Sequence, residues 1–195
     1  MSDPWPIRTA RLEIRRCTPE DLDAVWEYRR LPEVNRWLGR APQSSEAFHE
    51  LHADPARLAM TFVIDLLHGG EQEEPVLIGD IMVRIEDGWA QAEVADDARA
   101  VQAELGWVLH PEHGGQGYAT EAIRAVIGTC FRDLGLRRVH AGCFAANEPS
   151  WRLMERLGMR REESSRRTAL HRSGEWMDGL DYALLAEEWP TPTAR

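Results

Sequence analysis

Three glycines in one short stretch of the sequence could hold a negatively charged group. Gly114, Gly115 and Gly117 follow the segment from Glu104 to Pro111 and precede a run with helical spacing. Because glycine has no side chain, backbone N–H groups in such a loop can approach an anion closely. The first turn of the next helix adds unpaired N–H donors and the positive end of its dipole. The pattern predicts a site for a phosphate or diphosphate.

A strand and a helix must position that loop. Leu105, Trp107 and Leu109 occupy alternate positions, which is typical of a strand, and Pro111 ends it. After the loop, apolar residues recur every three or four positions, which predicts a helix that Gly135 ends. The apolar positions are Ala119, Ala122, Ile123, Val126, Ile127, Cys130, Phe131 and Leu134.

Two other kinds of phosphate-binding loop do not fit these residues. A P-loop requires a Gly-Lys-Ser/Thr sequence, and the chain contains no lysine. A dinucleotide fingerprint requires Gly-x-Gly-x-x-Gly, which residues 114–119 do not provide. An ordinary turn from a strand into a helix remains an alternative for the glycines taken alone.

A second motif lies about thirty residues further along. It begins at Asn147, a good helix-capping residue, and continues through Pro149 and Ser150 to a stop at Gly158. Trp151, Met154 and Leu157 form an apolar face between them. Taken alone, this segment could also be a short amphipathic helix without a ligand.

Together, the two motifs resemble those of GNAT-type N-acetyltransferases. The acetyl-CoA loop of that superfamily reads Gln/Arg-x-x-Gly-x-Gly/Ala, and residues 114–119 are similar, except that Gly114 replaces the usual Gln, Arg or bulky residue. The continuation Gly-Tyr-Ala-Thr-Glu-Ala (117–122) resembles the branch of ribosomal-protein-alanine and ribosomal-protein-serine N-acetyltransferases. The second motif is similar to the family's Asn-x-x-Ser...Leu-Gly-Phe segment, with Met159 in place of Phe.

The resemblance implies an α/β GNAT fold. Its mixed, mostly antiparallel central sheet is split between the fourth and fifth strands and flanked by helices. Here the strand at 104–110 would part from the strand at 138–144, and acetyl-CoA would enter the V-shaped gap. We expect one domain over residues 1–195, with a core at 9–189 and a tail at 190–195.

Further elements follow from the sequence. Strands are predicted at Met60 to Leu66, at Val76 to Ile85 and in the closing segment from Glu175 to Trp189. A first helix should begin at Thr18 and end by Pro32. The segments predicted to be least ordered are His68 to Glu74, Asp87 to Gln102 and the tail from Pro190.

The resemblance also implies which residues hold acetyl-CoA. The diphosphate would bind the glycine loop, the pantetheine arm would pair with a strand backbone, and Asn147 would donate or accept a hydrogen bond. The implied binding residues are Trp107, Val108, Leu109, Gly114, Gly115, Gln116, Gly117, Tyr118, Ala119, Thr120, Asn147 and Ser150.

Transfer to an amine requires a base. At pH 7 a lysine-like amine with a pKa of about 10.4 is neutral only about once in 2500 molecules, whereas an α-amine with a pKa near 7.7 needs far less help. Glu104, early on the predicted cofactor strand, is the candidate base, because the same branch often has Glu there. An ordinary solvated carboxylate is the alternative.

An acid must protonate the departing thiolate. The resemblance implies Ser150 in this role, with Tyr182 and Tyr118 as weaker alternatives. Main-chain N–H groups near Val108 would stabilise the oxyanion.

Composition limits the remaining function classes. The net charge of −10 argues against a nucleic-acid partner and suits a cationic substrate, although an acidic surface can also serve solubility alone. The histidines do not have the spacing of metal ligands, and neither do the scattered Cys17, Cys130 and Cys143, so no metal is expected. The three cysteines are predicted to be reduced thiols in the core. No signal peptide or membrane span is recognisable, which predicts a cytoplasmic protein. We expect it to be a monomer or homodimer.

Two other classes of function remain. A GNAT-like domain can bind acyl-CoA without transferring it, as a sensor or interaction module. A nucleotide-binding regulatory protein is disfavoured by the missing lysine. The acceptor stays open among protein N-termini, polyamines, antibiotic amines and amino-acid analogues.

Overall fold

Eight strands form an open, mostly antiparallel sheet flanked by helices. The computed structural model describes residues 3–67 and 74–190. The strands are β1 Ile7–Arg8, β2 Leu12–Arg16, β3 Thr61–Leu66, β4 Val76–Glu86, β5 Gln102–Leu109, β6 Arg138–Phe144, β7 Arg160–Leu170 and β8 Trp176–Leu185. Their order in the sheet is β1-β2-β3-β4-β5-β6-β8-β7. The predicted fold class is therefore confirmed.

The helices lie between these strands. They are α1 Leu22–Arg29, α2 Pro32–Asn35, α3 Ser45–His52, α4 Pro55–Met60, α5 Tyr118–Arg132 and α6 Glu148–Arg156. Short 3-10 turns occupy Pro19–Asp21, Ala92–Ala98, Pro111–His113 and Ala186–Glu188. None of the helices in the described ranges is long and apolar enough to cross a membrane.

The parallel pair β5 and β6 makes the sheet mixed. Its register matches Gln102 with Arg138, Ala103 with Val139 and Glu104 with His140. It includes no residue from Leu105 to Leu109, although β5 continues to Leu109 and β6 to Phe144. This register therefore pairs only the first residues of each strand.

Contacts between residues divide the chain into two compact units. Of the described residues, the first contains 3–67, 74–83 and 106–125, and the second contains 84–105 and 126–190. Below, these are called the first and the second unit.

The core of the first unit surrounds α1. Leu22, Val25 and Tyr28 lie on one face of that helix and are buried with Phe48 and Val108. The spacing of three between the helical residues explains why α1 forms here, since only burial of this face offsets the loss of chain entropy. The 3-10 turn at Pro19–Asp21 leads into α1, and there the Asp21 carboxylate accepts a 2.8 Å hydrogen bond from the Thr18 N–H. Pro32, which was expected only to end α1, begins α2.

The core of the second unit contains the later part of α5 together with α6, β6 and β8. All of its central side chains are at most 4% exposed. They are Val126, Ile127, Cys130, Val139, Ala141, Leu153, Met154, Tyr182 and Leu184. Gly135 and Gly158 adopt positive φ angles of 68° and 82° after the two helices, so glycine ends both of them as predicted.

One prediction about order is wrong. The segment from Asp87 to Gln102 contains the 3-10 turn at Ala92–Ala98 and a network of local hydrogen bonds. The Asp87 carboxylate accepts a 2.8 Å bond from the Ala100 N–H, and the Asp87 carbonyl accepts one from Gln102. The tail at 191–195 and most of His68 to Glu74 lie outside the described residues.

Candidate functional site

The glycine loop joins β5 to α5 in the first unit. Pro111 opens a 3-10 turn, and the Gly114 N–H donates a 2.9 Å bond back to the Pro111 carbonyl. Gly115 and Gly117 then adopt φ angles of 75° and 82°, in the left-handed region where a side chain is disfavoured. Gly114, at φ −66°, needs no such freedom. The loop conformation therefore depends on the last two glycines.

These glycines leave a row of donors without protein acceptors. The Glu121 N–H bonds to the Gly117 carbonyl at 3.0 Å, so the intrahelical ladder of α5 begins there. Within residues 3–67 and 74–190, the backbone N–H groups of residues 115–120 have no hydrogen-bond acceptor. The residues from Gly114 to Gly117 are exposed, and a Cβ placed on Gly115 would have no atom within 4 Å. An anion fits such a set of donors at a helix start.

The end of β5 lies against β4 in the same unit. The His110 N–H donates a 2.8 Å bond to the Ile78 carbonyl, and a Cβ on Gly79 would lie 2.5 Å from the Val108 carbonyl oxygen. Only glycine at position 79 allows this close approach. Val108 is 8% exposed, and Trp107 and Leu109 are half-buried. The backbone of β5 at Val108 therefore packs directly against β4.

Glu104, the candidate base, lies in the second unit and is already paired. The guanidinium of Arg84 contacts its carboxylate, and Arg84 Nε also donates a 2.8 Å bond to Glu86. Glu86 in turn lies 3.1 Å from His140 Nε2. The side chain of Glu104 is 28% exposed, so its carboxylate can still reach solvent.

The second motif places Asn147 and Ser150 at the start of α6, also in the second unit. Asn147 occupies the capping position, but its side chain makes no capping hydrogen bond, so its expected capping role is wrong. Its backbone carbonyl accepts a 3.1 Å bond from the Ser150 N–H instead. The Asn147 side-chain amide has no partner among the described residues. The Ser150 hydroxyl contacts the half-buried thiol of Cys143. Burial raises the pKa of Cys143 to about 11, and this contact partly opposes the shift.

The two tyrosines considered as acids have other structural roles. Tyr182 is 1% exposed, and its hydroxyl donates a 2.9 Å bond to Glu155. Burial raises the pKa of Tyr182, and the bond to Glu155 adds to the shift. The guanidinium carbon of Arg11 lies over the Tyr118 ring, 4.4 Å from the ring centroid.

The predicted residues are thus divided between the units. Trp107 to Leu109 and Gly114 to Thr120 come together in the first unit, whereas Glu104, Asn147 and Ser150 belong to the second. Reasoning from the sequence missed Arg84, Arg11 and Glu121. Glu121 lies inside the motif at 117–122, so the sequence could have identified it as a candidate site residue. Its hydrogen-bond partners lie far away in the sequence and could not be inferred from the motif. Across the described residues, His, Cys, Asp and Glu side chains form no group of three suited to a metal.

Comparison with known proteins decides the family. The model of the acetyltransferase (GNAT) domain matches residues 11–160, which include the glycine loop, Glu104 and the second motif. The chain belongs to the GNAT acetyltransferase family.

Relatives of similar length support this membership in the GNAT family. The uncharacterized N-acetyltransferase YnaD of Bacillus subtilis (strain 168) is 31% identical over 186 residues, covering 94% of this chain and 98% of that protein. A crystal structure of a GNAT-family acetyltransferase from Bacillus anthracis has a TM-score of 0.76 at 31% identity, covering 94% of this chain and 99% of that one. The ribosomal-protein-S5-alanine acetyltransferase from Vibrio fischeri shares the fold, with a TM-score of 0.68 at 15% identity over 95% of this chain and 99% of that one. The predicted GNAT superfamily is therefore confirmed.

Proposed function

We propose that this protein transfers an acetyl group from acetyl-CoA to a primary amine, either a protein N-terminus or a small molecule. The observation that carries the proposal is the row of N–H groups at residues 115–120, which have no acceptor among the described residues, in a chain of the GNAT family. The diphosphate of acetyl-CoA is an anion of matching chemistry for that row.

The pantetheine arm is assigned to the backbone of Trp107, Val108 and Leu109. Peptide-like groups add to a strand by main-chain hydrogen bonds, and the amides of pantetheine offer the same donors and acceptors. The β5–β6 register supports this assignment, because it uses no backbone group from Leu105 to Leu109. Asn147, whose side-chain amide has no partner among the described residues, is proposed to bond the same arm.

The reaction is a direct transfer. The amine nitrogen, once it has lost a proton to Glu104 or to a water bound there, attacks the thioester carbonyl and forms a C–N bond. A main-chain N–H group of the cofactor strand near Val108 is proposed to stabilise the resulting oxyanion. The attacking nitrogen then gives its second proton to solvent, the oxyanion re-forms the carbonyl as the C–S bond breaks, and the coenzyme thiolate takes a proton from Ser150, which is restored from solvent.

We also propose that the protein works in the cytoplasm. Cys17, Cys130 and Cys143 are all free, as expected in the reducing cytoplasm. We assign the chain as one GNAT domain, with a core at 9–189 and a tail at 190–195, working as a monomer or homodimer. Its partners are acetyl-CoA and an amine, without a nucleic acid, a membrane or a metal.

The alternative is a non-catalytic acyl-CoA sensor, favoured by the pairing of Glu104 with Arg84, which occupies the proposed base. Free thiol release from acetyl-CoA, followed with a panel of peptide N-termini, polyamines and amino-acid analogues, separates the two. An enzyme releases thiol in proportion to the amine acetylated. A sensor binds acetyl-CoA in calorimetry and releases no thiol with any amine.

A further inference from the structure

A carboxylate lies one turn into the helix that carries the proposed diphosphate donors. Glu121 is the fourth residue of α5, and its side chain is 21% exposed. An acidic side chain stabilises a helix start, but it also repels any anion bound there. This residue therefore opposes diphosphate binding unless its charge is neutralised.

Residues from the β1–β2 turn surround that carboxylate. The Thr9 hydroxyl donates a 2.6 Å bond to Glu121 Oε1, and the Arg11 backbone N–H donates one of 3.1 Å to the same oxygen. Arg11 Nε donates a 2.8 Å bond to Oε2, and Nη2 lies 2.7 Å from that oxygen. Partial burial raises the pKa of Glu121, but the bonds from Thr9 and Arg11 outweigh it, so the pKa lies below its ordinary value. Glu121 is thus a fully paired anion.

The same guanidinium also contacts the glycine loop. Arg11 Nη1 donates a 3.1 Å bond to the Gln116 carbonyl oxygen, and the guanidinium lies over the Tyr118 ring. Arg11 therefore contacts the residues on both sides of Gly117, the glycine at which the loop turns into α5. A Cβ on Gly117 would lie 3.6 Å from Arg11 Nη2, an ordinary contact distance. One side chain links the loop carbonyl, the loop aromatic ring and the helix carboxylate.

We infer that Arg11 is a positioning residue for acetyl-CoA: it neutralises Glu121 and occupies the Gln116 carbonyl, so that the loop presents only N–H donors to the diphosphate. This inference rests on the proposed function, since it assumes that the loop binds the diphosphate. It assigns the β1–β2 turn a role in cofactor affinity. The alternative is that the contacts of Arg11 only stabilise the fold. In that case the charge of Glu121 would not affect the affinity for acetyl-CoA.

Three variants separate the two roles: Arg11→Ala, Glu121→Gln and the double variant. Calorimetric titration with CoA should show Arg11→Ala binding about tenfold more weakly, because an unpaired carboxylate then faces the diphosphate. Glu121→Gln should bind CoA at least as tightly as the wild type while melting at a lower temperature. The double variant should recover several-fold of the affinity lost in Arg11→Ala.

A matched control and a second substrate complete the test. Arg8→Ala removes an arginine at the end of β1, next to the same turn, that pairs with Glu13. The net charge changes equally, and the CoA affinity of this variant should stay at the wild-type value. Acetyl-pantetheine lacks the diphosphate, so its kcat/KM should change less than about twofold in Arg11→Ala. Arg11→Lys, which keeps the charge but not the forked contacts, should lie between wild type and Arg11→Ala.

The outcomes are distinct. Wild-type CoA affinity in Arg11→Ala would overturn the inference. It would also be overturned if the double variant bound CoA no more tightly than Arg11→Ala and Arg11→Ala lost as much kcat/KM on acetyl-pantetheine as it lost CoA affinity. Should Arg11→Ala not fold, weakened CoA binding by the folded Glu121→Gln would overturn it equally. A wild-type protein that binds no CoA would instead remove the proposed function.

Discussion

Arg84 donates a hydrogen bond to the carboxylate of Glu104, the residue proposed to accept the amine proton. The same arginine bonds to Glu86, which lies 3.1 Å from His140. An amine or a water that reaches Glu104 therefore competes with Arg84 for its oxygens. If Glu104 is the base, the acceptor must approach the oxygen lone pairs that Arg84 leaves open.

Glu104→Gln should depress kcat by about 100-fold or more for acceptors of high pKa at pH 7, and only slightly for an α-amine, because the former are almost entirely protonated at that pH. The loss should shrink as pH rises to 9, where solvent can remove the proton. Glu86→Gln is the matched control, since it removes the other carboxylate bonded to Arg84 with the same change of charge. Wild-type rates for Glu104→Gln on every accepted amine between pH 6 and 9 would exclude Glu104 as the base.

Ser150→Ala should lower kcat more than it raises the KM for acetyl-CoA, because the hydroxyl is proposed to act only when the thiolate departs. Ser164→Ala, on the exposed strand β7, provides a control with the same chemical change. Steady-state kinetics with acetyl-CoA as the varied substrate makes the comparison. A rise in KM at unchanged kcat would make Ser150 a binding residue instead.

The contact between Ser150 and Cys143 predicts thiol reactivity. With a pKa of about 11 instead of the ordinary 9.0, Cys143 should be alkylated roughly 100-fold more slowly at pH 8 than in the unfolded chain. Because the Ser150 hydroxyl lowers this pKa, Ser150→Ala should slow alkylation further. Mass-spectrometric mapping of iodoacetamide labelling measures both rates, and faster labelling in Ser150→Ala would contradict the contact.

A buried ion pair supports the core behind Val108. Asp80 accepts a 2.6 Å bond from the Tyr28 hydroxyl and a 2.9 Å bond from Arg29 Nε, and its side chain is 2% exposed. Asp80→Asn should lower the free energy of unfolding by about 3 kcal/mol, since it leaves the mostly buried Arg29 without a counter-charge. Asp96→Asn, in an exposed ion pair, should change it little. Denaturant unfolding compares the two, and equal effects would argue against the importance of the buried pair.

Elements with strong periodicity were predictable. The apolar stripe of α5 and the glycine stop at Gly135 predicted that helix to within two residues, and β3, β4 and β6 were located to within one residue. By contrast, β7 was missed because ten of its eleven residues, from Arg160 to Leu170, are polar, charged or small, and most are exposed. An edge strand that pairs on one side and packs little on its faces leaves no alternation to read.

Local capping signals were present but were not used. Ser44 accepts a bond from the Ala47 N–H at the start of α3, and Asp54 precedes Pro55 at the start of α4. Both helices are short, so their apolar faces are too brief to give a clear period. At the candidate site, the glycine loop was predictable from local sequence. The pairing of Glu104 with Arg84 could not be predicted from local sequence, because the two residues are 20 positions apart and lie on different strands.

The glycine loop provides the most direct test of the account. Gly117 and Gly174 share nearly the same φ, at 82° and 85°, and Gly174 belongs to the turn between β7 and β8, outside the motif. Gly117→Val and Gly174→Val should each cost about 1–2 kcal/mol of stability, because a side chain is disfavoured at positive φ. Calorimetric titration with acetyl-CoA should then show wild-type affinity for Gly174→Val and no measurable binding for Gly117→Val. Equal affinity in all three folded proteins would contradict the assignment of the diphosphate to this loop.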